Sequence, residues 1–563
     1  MNSARAQRWW FWSAAVLTAL KIWLTRGQAL FAIGPAAADD RLFLNLAAAL
    51  LRGEWLGSYD TMTLAKGPFY SIWVAGVASC GLPLRLAEQL AYAGACAAVV
   101  WALAPLVQAA WARAGVYLLL LCNPMTYEMV VLGRVLRQNI YTPLALIVFA
   151  GLIALYARRA RTLRQLSPWA VALGLAGAAF WLTREESVWL APSVALLAGA
   201  ALWGAWQHGG PRQLRHMGSA LGVAAVCFAT PLLVISTMNA RTYGYFGIVE
   251  FNAREFKDAY GSLMRVEIGP RLPFVPVSRA AREAIYETSP AFAELRPFLE
   301  GDIGRGWAAA SQCVTHRSVE EREIAGGWFM WALRDAVAAA GYTHDAKEAL
   351  AFYKRIAAEV NTACMQGQIP AGPARSGMLP PWRDGQTQAL ASTFVEFADF
   401  FASFRGFNAH SPASMGDTAS LQLFHRMTRE RLSPSPDSPA TREMDAPSPL
   451  DQWRTAVLQR IGKALRWVLF SLTIAAHAGA IWLLIQQWRQ RRISYYFIVA
   501  VASWGACAAS LLINALVHIT SFPTLATGQF AAAYPMVLLF VGAIAVGVAQ
   551  TDQPEPPDGG STR

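Results

Sequence analysis

A chain of 563 residues that is 55% hydrophobic, only 15% charged and carries 22 tryptophans is too apolar for a large soluble enzyme. It reads as an integral membrane protein. The net charge of +12 would point a soluble protein toward nucleic acid, but the arginines here gather in short loops between apolar runs, so membrane topology accounts for them and no nucleic-acid partner is implied.

Apolar runs of about 18 or more residues fall at 9–32, 86–110, 115–132, 139–157, 168–183, 186–206, 219–238, 465–486, 495–517 and 530–549. The first carries Lys21 and Arg26 in its outer half. There they reach the interface along their apolar stems, or meet a lipid phosphate. Its length and its charges describe a retained anchor and not a cleaved signal, although Ala36-Ala37-Ala38 has the form of a cleavage site.

The loop at 34–85 holds the acidic pair Asp39–Asp40. Phe43, Leu46, Ala47, Leu50 and Leu51 then fall on one helical face, and Gly53 ends that helix. Pro68 opens a second apolar segment, Phe69–Cys80, too short to cross a bilayer and suited to lying at its surface. Asp39 and Asp40 have two readings: helix caps held by the positive helix end, or a general base. Lys66 stands just before a helix start, as a phosphate contact or a head-group anchor.

The third run carries Glu128 toward its outer end. An outside turn, 133–141, follows with Arg134 and Arg137, two cations against the usual charge bias. The next outside turn contains Arg184, Glu185 and Glu186. Charges so near the hydrocarbon are paired or used, so either an Arg184–Glu185 ion pair closes the turn or the cluster forms a wall of a site. The spans on either side are otherwise almost free of ionisable residues, which argues against a proton-coupled transporter.

Residues 239–464 form the one large extramembrane region. Helical periodicity near 278–287, 318–340, 345–364 and 387–404 makes it α-rich. It contains no His-Glu-x-x-His spacing and no glycine-rich phosphate loop. Gly326-Gly327-Trp328 reads as a packed helix start or a sugar contact. Residues 433–450 form a Pro/Ser linker back to the membrane. Cys80, Cys96, Cys122, Cys227 and Cys507 are small apolar fillers, whereas Cys313 and Cys364, alone in the outside region, are expected to pair. The loop 518–529 lies outside, and the tail from Thr551 is expected to be disordered.

Twelve arginines set the topology: Arg5, Arg8, Arg113, Arg158, Arg159, Arg161, Arg164, Arg212, Arg215, Arg489, Arg491 and Arg492. All fall on one side if both termini are cytoplasmic and Phe69–Cys80 does not span. The expected fold is an all-α integral membrane protein of about ten transmembrane helices, with two interfacial helices in the first external loop and an α-rich extracytoplasmic domain. The expected divisions are a core at 1–238, the domain at 239–432, a linker and return at 433–464, three helices at 465–550, and a cytoplasmic tail at 551–563.

An acidic pair at the membrane surface, two interfacial helices, this topology and the outside arginines together resemble the GT-C superfamily of membrane glycosyltransferases, of the protein mannosyltransferase and aminoarabinose transferase kind. The resemblance covers roughly residues 1–240. It implies a polyprenyl-phosphate-linked sugar as donor, membrane lipid as surroundings and a glycan, lipid or protein hydroxyl as acceptor. It also implies an inverting transfer at the periplasmic face of a bacterial inner membrane. Asp40, or failing it Asp39, would be the base. Lys66, Arg134, Arg137 and Arg184 would hold the phosphate, with Glu185 and Glu128 in the polar wall. Many GT-C enzymes carry a second acid in the 133–141 turn, where this chain has Gln138 and Asn139. That role is left open or passes to Glu128, and neither a cofactor nor a divalent metal is expected. The external domain would bind the acceptor or close the site. The competing readings are a transporter or flippase of a lipid-linked glycan, and a non-catalytic membrane scaffold with a sensor domain.

Overall fold

A computed structural model describes residues 3–438 and 446–550. Among these residues, regular structure is entirely helical apart from three isolated bridges. The helices of the first half are α1 (Ser3–Thr25), α2 (Asp40–Leu51), α3 (Phe69–Ser79), α4 (Leu84–Leu103), α5 (Ala110–Leu121), α6 (Gln138–Ala157), α7 (Leu163–Trp181), α8 (Ala191–Tyr243) and α9 (Arg254–Met264). Among the described residues, five helices are long and apolar enough to cross a membrane.

Contacts between loops sort the helix ends into two groups. At one end, Arg158 donates to the carbonyls of Trp101 and Ala102, Trp101 packs on Trp169, and the Tyr496 hydroxyl donates to the Leu106 carbonyl. The arginine-rich loop 158–164 lies there, with exposed Trp101, Trp111 and Trp203, the aromatic girdle expected at a membrane interface. At the other end, Leu30 pairs with Arg431, Phe31 with Gly133, and Phe69 with Leu182 through backbone hydrogen bonds. Arg85, just after α3, donates to the Leu132 carbonyl in the same group. Both ends of α3 therefore meet the same set of loops.

One apolar run departs from expectation. The run at 115–132 is not one helix. α5 stops at Leu121, and Asn123 caps a 3₁₀ turn, Pro124–Tyr127, because proline cannot supply the backbone N–H that would continue the helix. The runs at 186–206 and 219–238 remain two helical segments of α8, parted by a kink at Gly209–Gly210, where Gly210 takes φ +58°, a left-handed conformation suited to glycine. The expected Pro/Ser linker, 433–450, gives way to helix at its last two residues. A 42-residue helix, Pro449–Gln490, starts at the Ser448 cap and is about 63 Å long, about twice the hydrocarbon thickness. Its first turns pack beside the external region, with Gln459 accepting from the Ala409 N–H. The rest of that linker, 439–445, and the tail at 551–563 lie outside the described residues.

The region expected to be external contains α9, Arg279–Thr288, Pro290–Ala293, Arg296–Leu299, Asp302–Thr315, Gly326–Ala339, Ala346–Met365, Gln386–Ala402 and Thr418–Thr428. Residues 318–321 form a capped 3₁₀ turn and not the helix expected there. Phe256, Phe292, Phe329 and Tyr353 are fully buried among these helices. Gly326-Gly327-Trp328 is a packed helix start: a Cβ on Gly327 would come within 2.5 Å of the Phe522 ring, and Trp328 packs edge-on against Phe522. Cys313 and Cys364 do not pair. Both are free thiols, on separate helices that pack against different neighbours, Asp302–Thr315 on Gly326–Ala339 and Ala346–Met365 on α9.

The external region is fastened to the loop of the acidic pair by one buried ion pair. Arg334 and Glu250 side chains are each 1% exposed and 2.9 Å apart. Arg334 also donates to the carbonyls of Asp60 and Thr63, and the Tyr59 hydroxyl donates to Glu250. Removing one partner strands the other charge, at about 3–5 kcal/mol, whereas replacing both by apolar groups is far milder. Arg334→Leu alone should therefore lower the melting temperature sharply, and Arg334→Leu with Glu250→Leu should recover most of the loss. A double variant no more stable than the single one would contradict this account.

Candidate active site

The site is built where α2 begins. Leu42, Phe43, Leu44, Leu46 and Ala47 are buried, and the Phe43 ring meets Tyr70 of α3 edge-on at 5.2 Å. The helix Thr418–Thr428 packs on both α2 and α3. This holds the first turn of α2 in place. Asp39 occupies the cap position, but its side chain makes no cap hydrogen bond, so the capping reading of its carboxylate fails. Both acids are turned to cations instead.

Asp40 is fully buried. Arg134 forks onto it, with Nε 3.2 Å from each carboxylate oxygen and Nη2 closer still to Oδ2. The turn that presents Arg134 is made by Glu128. Its buried carboxylate accepts the backbone N–H groups of Val130, Val131 and Leu132. Gly133 lets the chain pass Met129, whose carbonyl a Cβ would approach to 2.3 Å. Asn139 donates to the Arg134 carbonyl at 3.1 Å. Glu128 thus shapes a loop and does not face the acidic pair.

Asp39 differs from its neighbour. Its side chain is 47% exposed, it pairs directly with Lys66, and it lies 4.0 Å from Arg134. Lys66 is 13% exposed and sits over the Phe43 ring. The Lys66–Phe69 segment is clamped to the loop at 182–185: the Gly67 N–H donates to Glu185, and a Cβ on Gly67 would meet the Leu182 carbonyl at 2.2 Å. Arg137 closes the set, donating to both oxygens of Glu185 at 2.8 Å and to the Thr183 carbonyl. Arg184 pairs with Glu186, and also donates to Gln529. The expected Arg184–Glu185 pair is therefore replaced: Glu185 is turned to Arg137, and Arg184 takes the next acid.

Four cations thus face four carboxylates in one contiguous patch. Partial burial raises the Asp39 carboxyl, but Lys66, Arg134 and Arg137 outweigh it and hold it below its ordinary value. Burial lifts Asp40 above its ordinary value against the pull of Arg134. Burial likewise lowers Lys66, with Asp39 pulling the other way. Glu186 is held below its ordinary value, its burial overcome by Arg184 and Arg137. Among the described residues no group of three or more His, Cys, Asp or Glu converges as a metal site requires.

Sequence reasoning missed a buried polar layer beside this patch. The Tyr70 hydroxyl donates to Glu88, and Arg85 pairs with Glu88 at 3.3 Å. A cavity of about 20 Å³, room for a water molecule, is lined there by Arg85, Glu88, Gln89, Gln138 and Asn139. Two opposite charges spaced i, i+3 at the start of the second apolar run were the available signal.

No protein-family model and no curated protein matches the chain. Among solved structures it is similar to the crystal structure of ArnT from Cupriavidus metallidurans in the apo state. The identity is 13%, the match covers 96% of this chain and 78% of that one, and the TM-score is 0.33. At that identity and score the likeness assigns no activity to this chain.

The two acids should separate in stability. Asp40→Asn leaves Arg134 without its buried countercharge and should cost about 3 kcal/mol. Asp39→Asn loosens a half-exposed pair and should cost at most about 1 kcal/mol. Melting curves of the two purified variants check this; equal losses would contradict the assignment.

Proposed function

We propose that the chain is a membrane glycosyltransferase that moves a sugar from a polyprenyl-phosphate donor to a hydroxyl of an extracytoplasmic acceptor, with inversion. The observation that carries the reading is the half-exposed Asp39 carboxylate, set against Lys66 and Arg134 at the outer mouth of an apolar helical bundle. In this reading they are a base and a cationic grip for a phosphate side by side, at the depth where a lipid-borne phosphate arrives.

In this reading the acceptor oxygen gives its proton to a carboxylate and attacks the anomeric carbon. The bond from that carbon to the phosphate oxygen breaks, and polyprenyl phosphate leaves with the electron pair. Lys66 and Arg134 meet the charge that develops on it, so the chain's own cations serve the leaving group and no divalent metal is invoked. Asp39 is the base, because an acceptor can reach it. Asp40, preferred on sequence grounds, instead fixes the orientation of Arg134. Arg137, Arg184 and Glu185 form the wall behind the phosphate.

Donor binding also prepares the base. Asp39 and an incoming phosphate compete for Lys66, and the phosphate frees the carboxylate as it takes the cation. The proposed setting is a bacterial inner membrane crossed about ten times, with α2 and α3 at its outer surface. Both termini are cytoplasmic, the site is periplasmic, and the external domain shapes the acceptor side.

Asp39→Asn should lower sugar transfer by about a hundred- to ten-thousandfold, read as release of polyprenyl phosphate from its glycosylated form in proteoliposomes. The same variant should bind polyprenyl phosphate more tightly than wild type, since the competitor for Lys66 has lost its charge. Wild-type turnover in Asp39→Asn would end the mechanism. A flippase or a scaffold instead predicts no release of polyprenyl phosphate by either protein.

A further inference from the structure

The outer half of α8 marks where hydrocarbon ends. Val226, Leu233 and Val234 are 65%, 56% and 51% exposed, and Met238 is the last exposed apolar residue of the helix. Arg241 follows, exposed, and the helix closes at Tyr243 before Gly244 in the left-handed region. At about 1.5 Å per residue, Gly244 lies about 9 Å beyond Met238. The head-group layer beyond the hydrocarbon is about 5–8 Å thick on each side, so Gly244 stands at the outer edge of that layer.

A groove of about 560 Å³ opens at this level, between the end of α8, the start of α9 and the helix Ala346–Met365. Phe246, 64% exposed, stands on its lip. Arg254, Lys347 and Lys354 line it against one acid, Glu255. The two lysines are seven residues apart and share a helix face. Arg254 is little engaged elsewhere: its side chain is 89% exposed and 3.5 Å from Asp258. Three cations over one acid select an anion. An exposed ring beside them, level with the head groups, selects an anion that carries acyl chains.

We propose that this groove binds the phosphate head group of an anionic lipid in the leaflet facing the external domain. Lys347, Lys354 and Arg254 hold the phosphate, and Phe246 rests at the acyl boundary. The site is separate from the acidic patch and does not depend on the glycosyltransferase reading. It seats the external helices on the bilayer.

The test uses the full chain in nanodiscs of phosphatidylcholine with phosphatidylglycerol bearing a photoreactive head group. Crosslinks are mapped by peptide mass spectrometry, with a photoreactive glycerol phosphate as the soluble arm. Wild type should crosslink within 244–255 and 346–365. Lys347→Gln with Lys354→Gln should reduce that labelling roughly thirtyfold, and Phe246→Ala should reduce it less. All these side chains but Glu255 are exposed, so melting temperatures should be unchanged. Wild type should in addition prefer the phosphatidylglycerol probe over a phosphatidylcholine probe at the same peptides, a comparison that needs no variant. Undiminished labelling in the double-lysine variant, or no preference between the lipid probes, would overturn the proposal. Equal labelling by soluble glycerol phosphate would overturn the lipid assignment.

Discussion

A carboxylate with no exposed surface cannot stay ionised unless a cation is brought to it. Asp40 is such a carboxylate, and the fork from Arg134 meets the requirement. Much else follows from holding that guanidinium in place. The turn at 128–134 must present it, and Glu128 gathers three backbone N–H groups to make the turn. Asn139 supports the Arg134 carbonyl. With Arg134 engaged by Asp40, Asp39 is left to Lys66 and to solvent. The difference between two adjacent acids thus originates in one buried pair: Asp40 is committed to Arg134, and Asp39 stays half exposed.

Much of the architecture was legible because membrane physics acts on short stretches. The arginines of 158–164, the amphipathic face of α2 and the brevity of Phe69–Cys80 each report on local sequence alone. Where a count of apolar residues competed with backbone chemistry, the backbone decided. Asn123-Pro124 ends α5 despite apolar neighbours, a signal present in the sequence that apolar run length outweighed. The break at Gly209–Gly210 falls between two apolar runs and was legible as such.

The candidate residues were legible as charges near hydrocarbon, but their pairing was not. Arg137 finds Glu185 across 48 positions and Arg134 finds Asp40 across 94. Pairing by sequence proximity put Arg184 with Glu185, whereas the loop turns these side chains to different partners. The same limit applies to Glu128, which looked like a spare acid and is consumed by its own turn. Cys313 and Cys364 were matched only because no other cysteine lay outside the membrane runs. Elimination of that kind carries no distance.

The external region is joined to the membrane helices by interactions that resist rigid-body movement. Arg26 pairs with Glu430, Gln28 reaches the carbonyls of Tyr127 and Ala409, and Arg334 holds the carbonyls at Asp60 and Thr63. Several of these groups are buried, so parting them exposes charges and amides to each other's absence and not to water. A large swing of the external helices away from the core would break all of them together. The Asp39–Lys66 pair is different, with one partner half exposed and each cation beside it already matched. Opening that pair costs at most about 1 kcal/mol, a small fraction of the cost of parting a buried one. Access to the patch is therefore governed by side-chain exchange at its rim, over a scaffold that stays closed.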